Sequence, residues 1–266
     1  MVRVVVSGAS GRMGREVVRA VTREKDLELV GAVDVSHIGE DCGVLAGLEP
    51  NGVLVADDLS ALLEEFKPDV MVDFTAPTAV AKNVICALEA GVRPVIGTTG
   101  MPAADLERIM RLAEERRIGG LVAPNFAIGA VLMMRFAAMA AKFFPTVEII
   151  ELHHDQKIDA PSGTAVQTAE MIAAVREDFR ANTGREELKL AGARGAEYRG
   201  GLRIHSVRLP GLVAHQEVLF GGQGQTLTIR HDSITRESFM PGVILAIRRV
   251  MGLDRIVYGL DKLIFE

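Results

Sequence analysis

The 266-residue chain has no Trp, two Tyr and ten Phe, too little aromatic surface for a base-stacking nucleic-acid platform. It also lacks an excess of positive charge. Lys and Arg total 30 against 35 Asp and Glu, a net charge of −5. Non-specific binding to nucleic acid needs clustered cations to neutralise phosphate, so that class is excluded. Two cysteines, Cys42 and Cys86, cannot make a disulfide framework or a four-ligand zinc site, and they read as thiols of a reducing compartment. No run reaches the roughly 18 uncharged apolar residues of a membrane span. The best candidate, Ala127 to Phe144, is broken by Arg135 and Lys142. Met1 to Val6 runs straight into a glycine-rich segment instead of a cleavage site, so no signal peptide is expected. What remains is a globular chain, 48% apolar, expected in the cytoplasm with no membrane or nucleic-acid partner.

What is present is an alternation. Short apolar runs at Arg3–Ser7, Glu28–Asp34, Asp69–Phe74, Pro94–Thr98 and Gly120–Ala123 read as strands. Helical patterns at Arg12–Thr22, Leu59–Phe66, Thr78–Ala90 and Ala103–Arg117 separate them. Strand alternating with helix predicts βαβ units and a doubly wound parallel sheet, with any ligand along the edge formed by the strand C-termini. The texture changes near Asn125. A helix at Ile128–Phe144, a strand at Val147–Leu152, and a helix from Pro161 to about Arg180 follow. Residues 182–200 lack periodicity and read as a loop. Closely spaced strands at Arg203–Leu209, Val213–Phe220 and Thr226–His231 suggest an open mixed sheet, and residues 236–251 return to helix. The expected fold is α/β: a Rossmann-type domain of residues 1–126 and 236–266, with a second α+β domain of residues 127–235 inserted into it.

The first strand leads into Gly8-Ala9-Ser10-Gly11-Arg12-Met13-Gly14, a G-x-x-G-x-x-G variant of the dinucleotide fingerprint. The first glycine permits the turn, the second lets backbone approach a pyrophosphate, and the third lets helix pack on strand. The helix start offers free N–H groups and partial positive charge to that pyrophosphate. Asp34 ends the second strand 20 residues after Gly14, near the spacing at which an acid bonds the adenosine ribose. A carboxylate there favours a free 2′-hydroxyl, and Val35 and Ser36 bring no cation, so NADH is expected to be used well. Arg12 offers NADPH a partner for its 2′-phosphate. Asp73-Phe74-Thr75, Gly97-Thr98-Thr99-Gly100 and Ala123-Pro124-Asn125-Phe126 share the same strand edge and fit a nicotinamide and its ribose, although each alone is equally a turn or cap.

The most informative stretch runs from Glu151 through His153-His154-Asp155-Gln156-Lys157 to Pro161-Ser162-Gly163-Thr164-Ala165. Two His and a Lys at a strand end supply cationic donors, and the following helix start supplies N–H groups and hydroxyls. Together they suit a small dicarboxylate and can deliver a proton. Adjacent His residues on a strand point to opposite faces, so one of the pair can be structural. No H-x-x-x-H spacing supports a metal, and Ser162 lacks a nucleophile elbow. His37, His205, His215 and His231 are scattered and default to surface or core roles.

These motifs together, from Gly8–Gly14 to the His153–Thr164 block, resemble the 4-hydroxy-tetrahydrodipicolinate reductase (dihydrodipicolinate reductase) family of lysine and diaminopimelate biosynthesis. Gly192 to Ala196 and Gly211 to Phe220 look like that family too. The resemblance implies NADH- or NADPH-dependent reduction of a cyclic dicarboxylate. It implies His153 as acid/base, Lys157 as proton donor, and His154, Gly163 and Thr164 as carboxylate contacts. Gly8, Ala9, Ser10, Gly11, Arg12, Met13, Asp34, Gly97, Thr98, Thr99, Ala123, Pro124, Asn125 and Phe126 match cofactor contacts. It also implies a homotetramer assembled through the second domain's sheet, and no metal. In some members Arg follows the strand-two acid; Val35 stands there in this chain. The alternatives are a related two-domain amino-acid dehydrogenase, which would share the first domain but not the His153–Thr164 block, and a dinucleotide-sensing regulator. The net charge and the absence of a basic DNA-binding element argue against the regulator.

Overall fold

The computed structural model describes residues 1–179 and 187–265. The chain forms two compact units, one of Met1–Phe126 with residues 239 onward, the other of Ala127–Ser238. The second unit thus runs to Ser238, past residue 235.

In the first unit, β1 (Val2–Ser7), α1 (Arg12–Arg23), β2 (Leu27–Val33), α2 (Cys42–Leu45), β3 (Val55–Ala56), α3 (Leu59–Phe66) and β4 (Val70–Asp73) follow in order. Next come α4 (Val80–Glu89), β5 (Arg93–Ile96), α5 (Ala103–Arg116) and β6 (Gly120–Val122). The strands are short apolar runs because both faces are covered: Val4, Val5, Val6, Val70, Met71 and Val72 are all fully buried. The helices bury one stripe each, such as Val80, Val84, Ala87 and Leu88 on α4. Asp58 caps α3 by accepting from the Ala61 N–H, and Lys67 ends it in the left-handed conformation.

The second unit follows. It comprises α6 (Ile128–Ala140), β7 (Thr146–His153), α7 (Gly163–Val175), β8 (Ala196–Arg199), β9 (Leu202–Arg208), β10 (Ala214–Gly222) and β11 (Gln225–Ser233). The chain then re-enters the first unit with α8 (Met240–Arg249), β12 (Ile256–Tyr258) and α9 (Asp261–Phe265). The exit and return points touch. A Cβ on Gly242 of α8 would lie 2.0 Å from the Phe126 carbonyl oxygen.

The first sheet is parallel throughout, in the order β12-β6-β5-β4-β1-β2-β3. Its order reverses direction at β1, which opens a crevice beyond the C-terminal ends of the strands. The second sheet is mixed, in the order β11-β10-β7-β9-β8. Its central strand alternates: Val147, Ile149 and Glu151 are buried, while Glu148, Ile150 and Leu152 are half-buried. Helices α6 and α7 pack on this sheet. This is the Rossmann-type sheet plus open mixed sheet that the pattern predicts.

Several boundaries differ from the sequence reading. The helix expected to reach Phe144 stops at Ala140 and runs into a turn over 141–143, and Pro145 disfavours helix at Phe144. The helix expected to reach about Arg180 stops at Val175. There Arg176 turns extended, and the buried Phe179 donates its N–H to the Gly200 carbonyl. Residues 182–186 of the expected loop lie outside the described residues, but Ala196–Arg199 within it is a strand, antiparallel to β9.

Candidate active site

In the first unit the glycine loop does what its spacing suggests. Gly8 has φ +81°, and a Cβ there would sit 2.5 Å from the Phe74 carbonyl oxygen. Gly14 is tighter: its Cβ would lie 1.9 Å from the Gly8 carbonyl oxygen. Helix α1 starts at Gly11 with no side-chain cap, which leaves its first turn to a ligand or solvent. Asp34 is tied to the loop. Its Oδ2 accepts from the Ser10 N–H at 2.9 Å, and its Oδ1 accepts from the Val35 N–H at 2.7 Å and from Ser36. Beside them lies a cleft of about 970 Å³, lined by Gly8, Gly11, Asp34, Thr75, Lys82 and Asn83 among others.

Gly97, Thr98 and Thr99 follow β5, and Ala123 to Phe126 follow β6, on the same C-terminal edge. Ala9, Ala123 and Phe126 are buried, so they offer backbone or support; the Phe126 ring packs on Phe74 with centroids 5.8 Å apart. Arg12 is exposed and makes no ion pair among the described residues.

Within the Asp73-Phe74-Thr75 motif, Asp73 is the polar centre of this edge. It is fully buried and accepts from Thr98 Oγ1 at 2.7 Å, Thr75 Oγ1 at 2.8 Å and Asn83 Nδ2 at 3.0 Å. Asn83 also donates to Ser7 Oγ. One carboxylate thus fixes residues from β4, α4 and the turn after β5. All three side-chain donors are neutral, so the group is satisfied without a counter-cation.

In the second unit the predicted residues cluster where β7 ends and α7 begins. His153 Nδ1 lies 2.5 Å from Glu151 Oε2, and Glu151 is fully buried. Arg208 of β9 grips the same carboxylate with both terminal nitrogens, at 2.7 and 2.8 Å. The Ser162 N–H donates to Glu151 Oε1 at 3.2 Å. Burial alone would raise the Glu151 pKa. Bonds from His153, Arg208 and Ser206 outweigh it and hold that pKa at about 2. Ser162 is the N-cap of α7, accepting from the Ala165 N–H. Arg208 also reaches the Asp159 carbonyl at 2.7 Å, which pins the segment between strand and helix.

Lys157 Nζ is 2.7 Å from Asp159, whose own carboxyl is held below its usual range chiefly by that bond. His154 is exposed, as is Gly163, where a Cβ would meet nothing within 4 Å. Thr164 opens α7. His37, His205 and His215 each pair with a carboxylate elsewhere. The pKa of His231, half-buried against Gly129, is lowered by that burial. Among the described residues no cluster of His, Cys, Asp and Glu fits a metal ion, and no helix is long and apolar enough to cross a membrane. Glu151 opens the motif that runs to Ala165, but nothing local in the sequence signals its partner Arg208.

Comparison with known proteins finds matches to both parts of the chain. The family model described as dihydrodipicolinate reductase, N-terminus, matches residues 2–126. The one described as dihydrodipicolinate reductase, C-terminus, matches residues 129–264. A 4-hydroxy-tetrahydrodipicolinate reductase of Moorella thermoacetica is 55% identical, over 99% of this chain and 98% of its own length. The same enzyme of Listeria monocytogenes is 55% identical, over 98% and 99%. Among solved structures, the dipicolinate-bound dihydrodipicolinate reductase of Paenisporosarcina sp. TG-14 superposes with TM-score 0.89 at 50% identity, covering 98% of this chain and 99% of that one. An amine dehydrogenase of Mycobacterium smegmatis, at 17% identity and TM-score 0.67, shares the fold.

Proposed function

Because the chain belongs to the dihydrodipicolinate reductase family, we propose that it reduces 4-hydroxy-tetrahydrodipicolinate to tetrahydrodipicolinate, a step of lysine and diaminopimelate biosynthesis. The observation that carries this reading is the second-unit cluster, in which His153, Lys157 and the start of α7 surround an anchored carboxylate network. The nicotinamide dinucleotide supplies the hydride when bound. The first unit fits such a cofactor, because a cleft of about 970 Å³ lined by Gly8, Gly11 and Asp34 lies beside the uncapped start of α1. Gly8 to Met13, Asp34, Gly97 to Thr99 and Ala123 to Phe126 are the residues that would hold it.

His154, Gly163 and Thr164 hold the substrate carboxylates. Gly163 leaves open space for one of them, and the N-terminal end of α7 favours negative charge. Loss of the 4-hydroxyl as water, together with hydride arrival at ring C4, leaves an electron-rich enamine, and His153 and Lys157 bring a proton to the carbon next to C4. Their positive charge also stabilises the substrate anion. The half-buried face of the second sheet, with Ile150, Leu152, Val207 and Leu219, is the surface through which we propose a homotetramer. A monomer mass by light scattering would remove that part. The location expected is the cytoplasm.

Coupled assay at 340 nm, with the substrate made in situ from pyruvate and aspartate semialdehyde, tests the activity. Substrate-dependent NADH oxidation is the expected result; no turnover with either cofactor, from folded protein that binds NADH, overturns it. At the adenosine end, Asp34 with Val35 favours a 2′-hydroxyl, while Arg12 accepts a 2′-phosphate. NADH is therefore expected to serve well and NADPH to serve too; a hundredfold kcat/KM preference for NADPH would contradict the role given to Asp34.

A further inference from the structure

We infer that Glu151 is a positioning residue that holds His153 as the Nδ1–H tautomer, so that Nε2 is the ring atom that exchanges the proton. This rests on the reading of His153 as the acid/base and goes further, to the atom and to the group that selects it.

Glu151 is fully buried on the helix-covered side of β7. An ionised carboxylate only accepts hydrogen bonds. Gripped by both terminal nitrogens of Arg208, Glu151 is held as the ionised carboxylate, its pKa lowered to about 2. At 2.5 Å from Oε2, His153 Nδ1 must therefore be the donor, whether the ring is neutral or charged. Glu151 cannot swing to another arrangement. Its Oε2 also takes Arg208 Nη1 at 2.8 Å, while Oε1 takes Arg208 Nη2 at 2.7 Å and the Ser162 N–H at 3.2 Å. Two parallel bonds from a planar guanidinium fix the carboxylate plane.

Three segments face the pair, and two of them bring charge. Arg208 approaches from β9, where it stands in register opposite His153. The Lys157–Asp159 ion pair belongs to the segment before α7, which Arg208 reaches through the Asp159 carbonyl. From β10, the residue opposite Glu151 is the neutral Gln216, whose side-chain amide donates to Thr168 of α7. With a neutral His153, Glu151 and Arg208 cancel.

The test uses full-length protein with ¹⁵N-labelled histidine. The His153 ring signals are assigned by their loss in His153→Ala and followed with pH. Nδ1 is expected to stay protonated across the titration while only Nε2 changes state; a neutral form carrying Nε2–H overturns the inference. In kinetics, Glu151→Gln is expected to lower kcat about tenfold or more with KM within about threefold. In the His153→Ala background the same change should add no further loss. Equal losses in both backgrounds, or a wild-type kcat in Glu151→Gln, also overturn it. The wild-type NMR decides if Glu151→Gln does not fold. Near-wild-type activity of His153→Ala would instead remove the acid/base reading, whatever tautomer the ring holds.

Discussion

Lys157→Ala is expected to lower kcat by about 10²–10⁴-fold, the range for a lost general acid, and His153→Ala to do the same. The structural role of Lys157 is small enough to make this decisive. Its ammonium pairs with Asp159, whose side chain is 60% exposed, and such surface pairs contribute about 0–1 kcal/mol to stability. If Lys157 only closed that turn, the variant would lose a degree or two of melting temperature and little activity. A large fall in kcat with an unchanged melting curve therefore assigns it to the chemistry. Activity within threefold of wild type removes the role. His153→Ala differs, because Glu151 keeps Arg208 as its counter-cation and stays satisfied. Its fold should also survive, so that the kinetic loss is read on intact protein.

Gly14→Ala should be the most damaging single methyl group in the first unit. The added carbon would meet the Gly8 carbonyl oxygen at 1.9 Å, the Gly8 carbonyl carbon at 2.7 Å and Ala9 Cα at 2.8 Å. All three are backbone, so no side chain can yield, and α1 must move away from the turn after β1. Overpacking of this kind costs about 3 kcal/mol. It also displaces the helix end that would face a pyrophosphate, and a misplacement of about 1 Å can cost about 10²-fold. A lowered melting temperature with much weaker NADH binding is expected. Gly252→Ala is the control, since a Cβ there meets nothing within 4 Å. Wild-type NADH affinity in Gly14→Ala would show that the loop does not bind the dinucleotide through this geometry.

The two halves of the site differ in how far the sequence announces them. Gly8, Gly14 and Asp34 are legible because backbone crowding permits only glycine at two of the positions, and the strand length fixes where the acid falls. His153 and Lys157 are legible because cationic residues crowd the end of an otherwise apolar strand. Asp73 and Glu151 look like ordinary strand residues. What makes them important is a partner far along the chain: Thr98 lies 25 residues from Asp73, and Arg208 lies 57 from Glu151. No local pattern encodes such a pairing. The shortest strands escape notice for a related reason. Val55–Ala56 and Ile256–Tyr258 are too short to show a period, and Ala196–Arg199 is a mostly exposed edge whose polar residues mimic a loop.

The interruption of the first unit bears on how the protein is made. Strand β12 completes the parallel sheet by pairing with β6, yet more than a hundred residues of the second unit separate the two in sequence. A ribosome emits β1 to β6 first, then every strand of the second sheet, and β12 and α8 afterwards. Until they emerge, β6 presents a bare edge, the kind of surface that invites pairing with another chain. The second unit is continuous in sequence and can close during that interval. The nascent chain should therefore acquire its later-synthesised unit as a finished body while the earlier one still waits for its last strand. Protection from a protease during stalled synthesis should follow the same order.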